Sequence, residues 1–304
     1  MIVGIDEVGR GAWAGPLLVG AVVLNDAAIE GLTDSKKLTK KRRETLAHQL
    51  KRSSARIGLG WVSARDIDRI GMSEALKLAS ERALRRVDGE DVEQIIIDGT
   101  IRLIDDPRVT TLKQADLIIP AVSAASIAAK VARDAYMAQM DHALPGYNFA
   151  GHVGYGTAAH SEALNTHGPS PIHRMSFAPL KSAHIADAVV HEVTMGEAAE
   201  VFASEYLISE GYEIIECNWK TKWCEIDIVA LKDGVIHFVE VKYRKTDRSG
   251  DGLAAITATK HRQMTFAARM WLHAHQQFPH NGVQLSAMSL SGQPIRLMSW
   301  LPQL

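Results

Sequence analysis

Cysteine is scarce in this chain: the 304 residues include only Cys217 and Cys224. Their spacing fits neither the paired cysteines of a zinc motif nor a disulfide framework. The scarcity excludes a fold held together by disulfides and favours a reducing compartment.

Long apolar runs are also missing. No apolar stretch approaches the roughly 18 residues that a membrane-spanning helix needs. The amino terminus places Asp6 and Glu7 where a secretory signal requires a basic end followed by an apolar core. We therefore predict a cytoplasmic protein with no membrane partner.

Net charge is small, at −1 with histidine neutral, and gives no overall sign of a polyanionic partner. Charge is nonetheless clustered in KKLTKKRR, where six of the eight residues from Lys36 to Arg43 are basic. Such a run is either the solvated face of a helix or a contact to a phosphate backbone. Both interpretations stay open.

Strand-like and helix-like segments alternate along the first half of the chain. The strand-like segments are apolar and β-branched: IVGID, LLVGAVVL, IGLGWV and EQIIID. The helix-like segments are SKKLTKKRRETLAHQL, SARDIDRIGMSEALKLASERALRRV and IPAVSAASIAAKVARDAYMAQM. Asp34 or Ser35, and Ser63, are predicted N-caps, and Pro120 fits a first helical turn. The alternation predicts an α/β domain with a mixed sheet.

A second, smaller unit begins near residue 190. GEAAEVFASEYLISEGYEII has the spacing of an amphipathic helix that ends at Gly211. Two β-rich runs then flank Asp233 and Gly234, a strong hairpin signal. A helix through TATKHRQMTFAARMWLHAH and a weak tail complete the unit. We place the two domains at residues 1–188 and 189–304.

The glycines of GIDEVGRGAWAG raise the possibility of a cofactor loop. Gly9, Gly11 and Gly15 are spaced G-x-G-x-x-x-G, one residue off the dinucleotide fingerprint. No separate acidic residue ends a second strand in the position of a ribose partner. We therefore predict no organic cofactor.

Three acids stand at the ends of predicted elements. Asp6 lies in the second half of the first strand, Asp98 follows three isoleucines, and Asp116 precedes the long helix. Each acid alone is explained as a strand-end or N-cap residue. Together, acids at strand ends of an α/β domain are typical of a two-metal phosphoryl-transfer site, because Mg²⁺ and Mn²⁺ prefer oxygen ligands.

Six motifs occur in an order that resembles ribonuclease HII: GIDEVGRGAWAGP, DSKKL, IIIDG, ADLIIPAVSAASIAAKVARD, GYGTAAH and PIHRMSF. The resemblance covers roughly residues 1–185. It implies a ribonuclease H-like mixed sheet and Mn²⁺- or Mg²⁺-dependent cleavage of RNA in RNA/DNA hybrids. It also implies nicking on the 5′ side of ribonucleotides embedded in duplex DNA, and a metal-binding, catalytic set of Asp6, Glu7, Asp98 and Asp116. Asp134 is less suitable because it lies well inside the helix.

The same resemblance implies substrate contacts. It places Gly9, Arg10 and Gly11 against the 2′-hydroxyl side of a ribonucleotide, and Tyr155 on the sugar next to the RNA–DNA junction. Lys36 and Lys37 would meet phosphates. His160, His173 and Arg174 also match family positions, where the histidines have either a structural or a substrate role.

The predicted hairpin also brings charged residues together in the second unit. If Asp233 and Gly234 form the turn, Asp227 lies opposite Glu240 and Glu225 opposite Lys242, all on one face. Like charges in opposed positions destabilise a sheet, and a bound divalent cation would remove that penalty. The alternative is a solvated face with a Glu225–Lys242 salt bridge.

The arrangement D…E-x-K is similar to the core of the PD-(D/E)xK nucleases, and residues 194–275 resemble the YraN family. The motifs are AEVFASEYLISEGYEIIECNW, CEIDIVA and FVEVKYR. The resemblance implies a restriction-endonuclease-like fold with a second site of Glu200, Asp227, Glu240 and Lys242. Cys224, Ala199 and the tail VQLSAMSL depart from the family pattern, so the helix and the last strand are the least secure parts. The alternative for this domain is a catalytically inactive module that binds nucleic acid or docks a partner.

Overall fold

The computed structural model describes residues 1–182, 194–245, 256–276, 278 and 280–304. The predicted domain boundary between residues 188 and 189 lies outside the described residues. No helix within the described ranges is long and apolar enough to cross a membrane.

The first unit is built on a mixed five-stranded sheet. Its strands are β1 (Ile2–Val8), β2 (Leu17–Val23), β3 (Arg56–Val62), β4 (Gln94–Asp98) and β5 (Val109–Leu112). Its helices are α1 (Lys40–Arg52), α2 (Ala64–Arg85), α3 (Pro120–Ala143), α4 (Phe149–His152) and α5 (Ala158–His167). The strand order is β3-β2-β1-β4-β5, in which β1 is antiparallel to β2 and parallel to β4. The predicted α/β domain with a mixed sheet is confirmed.

Helix starts follow the capping side chains. Ser63 accepts a hydrogen bond from the Asp66 amide at the start of α2, as predicted. The predicted start of α1 is wrong by several residues. Asp34 caps a separate 3-10 turn over 35–37, the chain is extended at Leu38, and Thr39 caps α1. The DSKKL segment therefore forms its own turn in front of the helix.

Helix α3 lies directly against β1 and β2. A Cβ atom at Gly4 would meet the backbone of Ala121 and Val122 at 2.2 Å, and one at Gly20 would meet the Ala125 carbonyl oxygen at 2.3 Å. Only glycine permits this approach. The contact brings the first half of α3 beside the end of β1, where Asp6 lies.

The second unit is a mixed sheet with a helix on each face. Its elements are α6 (Met195–Ser209), β6 (Glu213–Lys220), β7 (Glu225–Lys232), β8 (Val235–Arg244), α7 (Ala258–Ala274), β9 (Gly282–Ser291) and β10 (Arg296–Leu301). Strand order is β10-β9-β8-β7-β6, with β8 and β9 parallel. The hairpin is confirmed, with Lys232 opposite Val235. The expectation of a weak tail after α7 is wrong. The tail forms β9, which pairs with β8 along its whole length, and β10, which pairs with β9.

Helix α6 packs against both units. Its buried residues Ala203 and Leu207 join Trp61 and Tyr136 of the first unit and Val239 of the second in one apolar cluster. Arg82 donates hydrogen bonds to the carbonyl oxygens of Ile208 and Ser209, where the last turn of α6 leaves acceptors free. The two units therefore share a core.

Candidate active site

Two adjacent parallel strands bring the first pair of acids to one edge of the sheet. Ile5 of β1 pairs with Ile97 of β4, so Asp6 and Asp98 are the next residues along each strand. Asp98 Oδ1 accepts a hydrogen bond from the amide of Ala115 at 2.7 Å. That bond holds the 3-10 turn over 115–117, and with it Asp116, next to the strand end.

The carboxylates lie close enough to affect each other's ionisation. Burial, together with the charges of Glu7 and Asp98, raises the pKa of Asp6 to about 7, against the opposing effects of the Ser126 hydroxyl and the Glu7 amide. Burial and the Asp98 charge also raise the pKa values of Glu7 and Asp116. The structure thus gathers all four predicted acids, Asp6, Glu7, Asp98 and Asp116, into one electrostatic cluster.

The chemistry of this cluster fits a divalent cation. All four side chains offer oxygen, the ligand that Mg²⁺ and Mn²⁺ prefer, and their mutual repulsion is what a cation would remove. Across the part of the chain that the structure describes, no group of three or more His, Cys, Asp or Glu side chains is placed so that it could hold a metal ion.

Glu7 follows Asp6 directly, and neighbouring residues of an ideal strand face opposite ways. Glu7 nevertheless senses the charges of Asp98 and Lys36. Its Oε1 lies 3.8 Å from the guanidinium of Arg10, whose side chain is 54% exposed. Glu7 therefore lies at the rim of the cluster, on the side of the glycine-rich loop.

The DSKKL turn is fastened beside the acids. Ser35 Oγ lies 2.9 Å from Ser126 Oγ on α3, and the Ser126 hydroxyl is near enough to Asp6 to lower its pKa. Lys36 is exposed, and its charge offsets part of the rise in the pKa values of Glu7 and Asp116. Lys37 is exposed on the same turn.

The rest of the basic run is partly structural. Arg42 donates to the Glu30 carbonyl oxygen, and Arg43 donates to the carbonyl oxygens of Ser35 and Leu38. The two interpretations of the run therefore divide along its length: the arginines hold the turn, and Lys36 and Lys37 remain exposed next to the acids.

The glycines of the loop between β1 and β2 differ in what they face. Gly9 has φ of +86°, and a Cβ there would lie 2.3 Å from Arg133 Nε. A Cβ at Gly11 would meet nothing within 4 Å. Gly9 is thus required by the fold, while Gly11 faces open space.

Two buried arginines hold this loop, and the sequence did not indicate the role of one of them. Arg133 of α3 donates to the carbonyl oxygens of Ala14, Pro16 and Val153. Arg174 donates to those of Arg10 and Gly15. The only sequence signal for Arg133 was a charged residue on the alanine-rich side of α3, which is too weak to indicate its partners.

Tyr155 lies on a loop that is bonded to the glycine-rich loop. The Gly154 carbonyl oxygen accepts from the amides of Trp13 and Ala14, at 2.8 and 3.3 Å. The Tyr155 ring is partly exposed and lies 5.6 Å from the Arg133 guanidinium carbon. The structure thus brings together the two loops for which substrate contacts were predicted.

His173 and His160 form a chain of hydrogen bonds that ends at the backbone of Tyr155. His160 Nδ1 lies 3.0 Å from the Tyr155 carbonyl oxygen, His160 Nε2 lies 2.9 Å from His173 Nε2, and His173 Nδ1 accepts from the Ser170 amide. With one proton on each ring, every hydrogen bond in this chain has one donor and one acceptor. His173 then donates to His160, and His160 donates to the Tyr155 carbonyl oxygen. Burial lowers the pKa values of His160 and His173 to about 4 and about 3. These contacts are structural.

The second predicted site is also assembled, with one addition. Asp227 Oδ2 accepts from the Val241 amide at 2.7 Å, and burial, followed by the Glu240 charge, raises the pKa of Asp227 to about 7. Glu240 pairs with Lys242, as the D…E-x-K pattern requires, and with Lys260 of α7 at 2.6 Å. Nothing in the sequence indicated Lys260, because its contact depends on how α7 packs.

The remaining residues of that face pair differently from the expected salt bridge. The alternative with a Glu225–Lys242 bridge is wrong: Glu225 Oε2 lies 3.7 Å from Lys220, and Lys242 pairs with Glu240. Glu200 lies on α6, confirming that helix, and accepts a hydrogen bond from Asn218 at 2.6 Å. Its charge acts on Asp227.

Comparison with known proteins separates the two units. A family model described as ribonuclease HII matches residues 3–180, and that of an uncharacterised family, UPF0102, matches residues 199–289. The ribonuclease HII of Hyphomonas neptunium is 44% identical over 197 residues, which cover 60% of this chain and 95% of the relative. That of Thermus thermophilus is 43% identical over 187 residues, covering 60% and 89%.

A solved structure of the PCNA:RNase HII complex from Archaeoglobus fulgidus is 27% identical and covers 58% of this chain and 95% of the other, with a TM-score of 0.49. The ribonuclease HII match spans more than half of the chain and confirms that resemblance, and the second match confirms the YraN-like one. The chain belongs to the ribonuclease HII family, and its first unit is a metal-dependent endoribonuclease.

Proposed function

We propose that the first unit hydrolyses the RNA strand of RNA/DNA hybrids and nicks duplex DNA on the 5′ side of an embedded ribonucleotide. The observation that carries this proposal is the cluster of Asp6, Glu7, Asp98 and Asp116 beside the loops of Gly11 and Tyr155. A cluster of oxygen ligands suits phosphodiester hydrolysis, and an adjacent open loop suits recognition of a sugar.

In this proposal the four carboxylates hold two Mn²⁺ or Mg²⁺ ions. When bound, such ions lower the pKa of a coordinated water and stabilise charge on the phosphate. Asp6 and Asp98 are the central ligands because neighbouring strands present them at one level. Glu7 and Asp116 complete the set from the rim and from the turn over 115–117. The products carry 3′-hydroxyl and 5′-phosphate ends.

The exposed groups around the cluster supply substrate contacts. Lys36 and Lys37 neutralise backbone phosphates, which accounts for affinity but not for selectivity. The backbone of Gly9, Arg10 and Gly11 approaches the 2′-hydroxyl, the group that separates RNA from DNA. Tyr155, supported by Arg133, packs on the sugar at the junction.

The test uses duplex DNA with one embedded ribonucleotide, incubated with Mn²⁺ or Mg²⁺. Wild type should give a single nick, and Asp98→Asn should lower the rate about 100-fold or more, because a charged ligand is lost. Asp134→Asn is the matched control: its carboxylate pairs with Lys130 on α3, so the rate should stay at the wild-type level. Absence of a nick with folded wild type would overturn the proposal, and equal loss in both variants would overturn the assignment of the acids.

For the second unit we propose a nuclease-fold module whose site comprises Glu200, Asp227, Glu240 and Lys242. The supporting observation is the crowding of Asp227 by Glu240 in a buried setting. The alternative, an inactive module that binds nucleic acid or docks a partner, is favoured by Lys260, which already neutralises Glu240. Branched and single-stranded DNA, offered to Asp98→Asn with and without Glu240→Ala, separate the two: only a nuclease shows cleavage that depends on Glu240.

A further inference from the structure

A cleft of about 560 Å³ opens between α7 and the turn that joins β6 to β7. Its volume lies within the range of ligand-binding clefts. The residues that matter here are Lys220, Trp223, Glu225, Lys260, Arg262 and Phe266. No acid of the ribonuclease site lines this cleft, and of the hairpin acids Glu225 does so.

Two large aromatic side chains face solvent on opposite walls of the cleft. Trp223 is 65% exposed and Phe266 is 48% exposed. The Trp223 turn is ordered, because the Thr221 hydroxyl accepts from the amides of both Trp223 and Cys224. Aromatic rings held in the open by an ordered backbone leave faces on which a planar group can stack.

The charge of the cleft is mostly positive. Lys220, Lys260 and Arg262 line it, and the Lys222 ammonium lies 4.2 Å from the centre of the Trp223 ring. Among the described lining residues the one carboxylate, that of Glu225, lies 3.7 Å from Lys220, and Lys260 pairs with Glu240 outside the lining. Arg262 and Lys222 add positive charge beyond these two ion pairs, and aromatic faces next to basic side chains are the combination with which proteins bind single-stranded nucleic acid.

We propose that this cleft binds single-stranded nucleic acid, with bases stacked on Trp223 and Phe266 and phosphates contacted by Lys220 and Arg262. A duplex hides the faces of its bases, so the aromatic contacts require an unpaired strand. Lys260 connects the cleft to the hairpin acids, because it lines the cleft and pairs with Glu240 at 2.6 Å. The proposal concerns binding alone, and it holds whether or not the second site cleaves.

The experiment measures anisotropy of a labelled oligodeoxythymidylate of about 15 nucleotides, a length near the site size of such proteins. The full chain is used, with EDTA present so that metal-dependent cleavage is absent. Wild type should bind this strand more tightly than a blunt duplex of the same length. Trp223→Ala and Phe266→Ala should each weaken binding by roughly 5- to 100-fold, the value of one stacked base. Trp223→Phe should recover most of the affinity.

Two exposed arginines of α7, one that lines the cleft and one that does not, provide the matched control. Arg262→Ala should weaken binding and reduce the slope of log affinity against log salt by about 0.7, the loss of one phosphate contact. Arg269 is an exposed arginine of the same helix that does not line the cleft, so Arg269→Ala should leave the affinity unchanged. Thermal unfolding midpoints verify that the variants are folded, as expected for exposed side chains.

Three results would overturn the proposal. They are failure of wild type to bind the oligonucleotide at low salt, equal affinity for strand and duplex, and wild-type affinity in the Trp223, Phe266 and Arg262 variants. None of these measurements uses ribonuclease activity, so failure here is distinct from failure of the proposed function of the first unit.

Discussion

Tyr136 of the first unit donates its hydroxyl hydrogen to Oε1 of Glu205 on α6, over 3.0 Å. The other oxygen of Glu205 accepts from the Ala64 amide at 3.1 Å. One buried carboxylate of the second unit therefore uses both oxygens on donors of the ribonuclease unit. Burial raises the pKa of Glu205 to about 7, despite these two hydrogen bonds.

The first prediction concerns pH and the junction between the units. The pKa of the Glu205 carboxyl rises from 4.5 to about 7 on folding. Its contribution to the free energy of unfolding is therefore fully present below pH 4.5. That contribution declines between pH 4.5 and 7 and is absent above, and it amounts to about 3 kcal/mol at most. Glu205→Gln should therefore match wild type near pH 4.5 and unfold at a higher temperature at pH 8.

The control for this prediction is Glu210→Gln, at an exposed position that follows α6. This variant makes the same change of glutamate to glutamine outside the junction, and it should not reproduce the higher unfolding temperature at pH 8. A difference between Glu205→Gln and wild type that is the same at both pH values would show that Glu205 has an ordinary pKa in the folded protein.

This junction was beyond sequence reasoning, for a physical reason. Tyr136 and Glu205 lie 69 positions apart on two helices, and each fits its own helical pattern without the other. Periodicity reports which face of a helix is buried but not what covers it. The same limit applies to Arg133 and Lys260, whose partners are set by packing between distant elements.

A second prediction follows from the histidine chain under Tyr155. His173 is neutral in the folded protein because burial lowers its pKa to about 3. Stability from this group is present above pH 6.5 and is lost as the pH falls from 6.5 towards 3, because the unfolded state takes up the proton first.

Substitution of His173 by Gln removes this titration and also breaks the chain to His160. The variant should be less stable than wild type at pH 8, by about 1–3 kcal/mol for the unpaired groups left behind. The difference in free energy of unfolding between wild type and the variant should become smaller as the pH falls to 4. Urea unfolding followed by fluorescence measures it. A difference that stays constant from pH 8 to pH 4 would mean that the chain carries a proton in the folded state.

The third prediction compares two glycines of the same loop. Gly9→Ala forces a Cβ onto Arg133 at positive φ and should lower stability by about 1–3 kcal/mol. Gly11→Ala meets nothing within 4 Å and should leave stability unchanged, since its effect falls on the substrate. In the Gly11 variant, preference for one ribonucleotide over an all-DNA duplex should drop while the unfolding midpoint stays at the wild-type value. Unchanged preference in a folded Gly11→Ala protein would remove this residue from the substrate contacts.

The acids were easier to predict than their surroundings. An acid that interrupts an apolar strand, such as Asp6 or Asp98, indicates its own position, because the strand pattern fixes where the carboxylate emerges. The hairpin register around Asp233 and Gly234 followed from turn chemistry in the same way. Strand β9 was harder, because its serines are buried in the sheet and mask the apolar pattern that predicts a strand.

Lys260, which forms an ion pair with Glu240 in the second site, is the subject of the last prediction. Removing its ammonium leaves a buried carboxylate with one cation fewer, and a divalent metal can supply the missing charge. In an Asp98→Asn background, which weakens the first site, Lys260→Ala should bind Mn²⁺ roughly tenfold more tightly than its parent, the equivalent of about 1.4 kcal/mol of attraction. Calorimetric titration measures this directly. As a first control, Lys232→Ala removes the same charge at the turn that ends β7 and should leave Mn²⁺ affinity unchanged. As a second, adding Glu240→Ala to Lys260→Ala should abolish the tighter Mn²⁺ binding. If all these proteins bind Mn²⁺ alike, Glu240 is not a metal ligand, and the second unit is the inactive alternative.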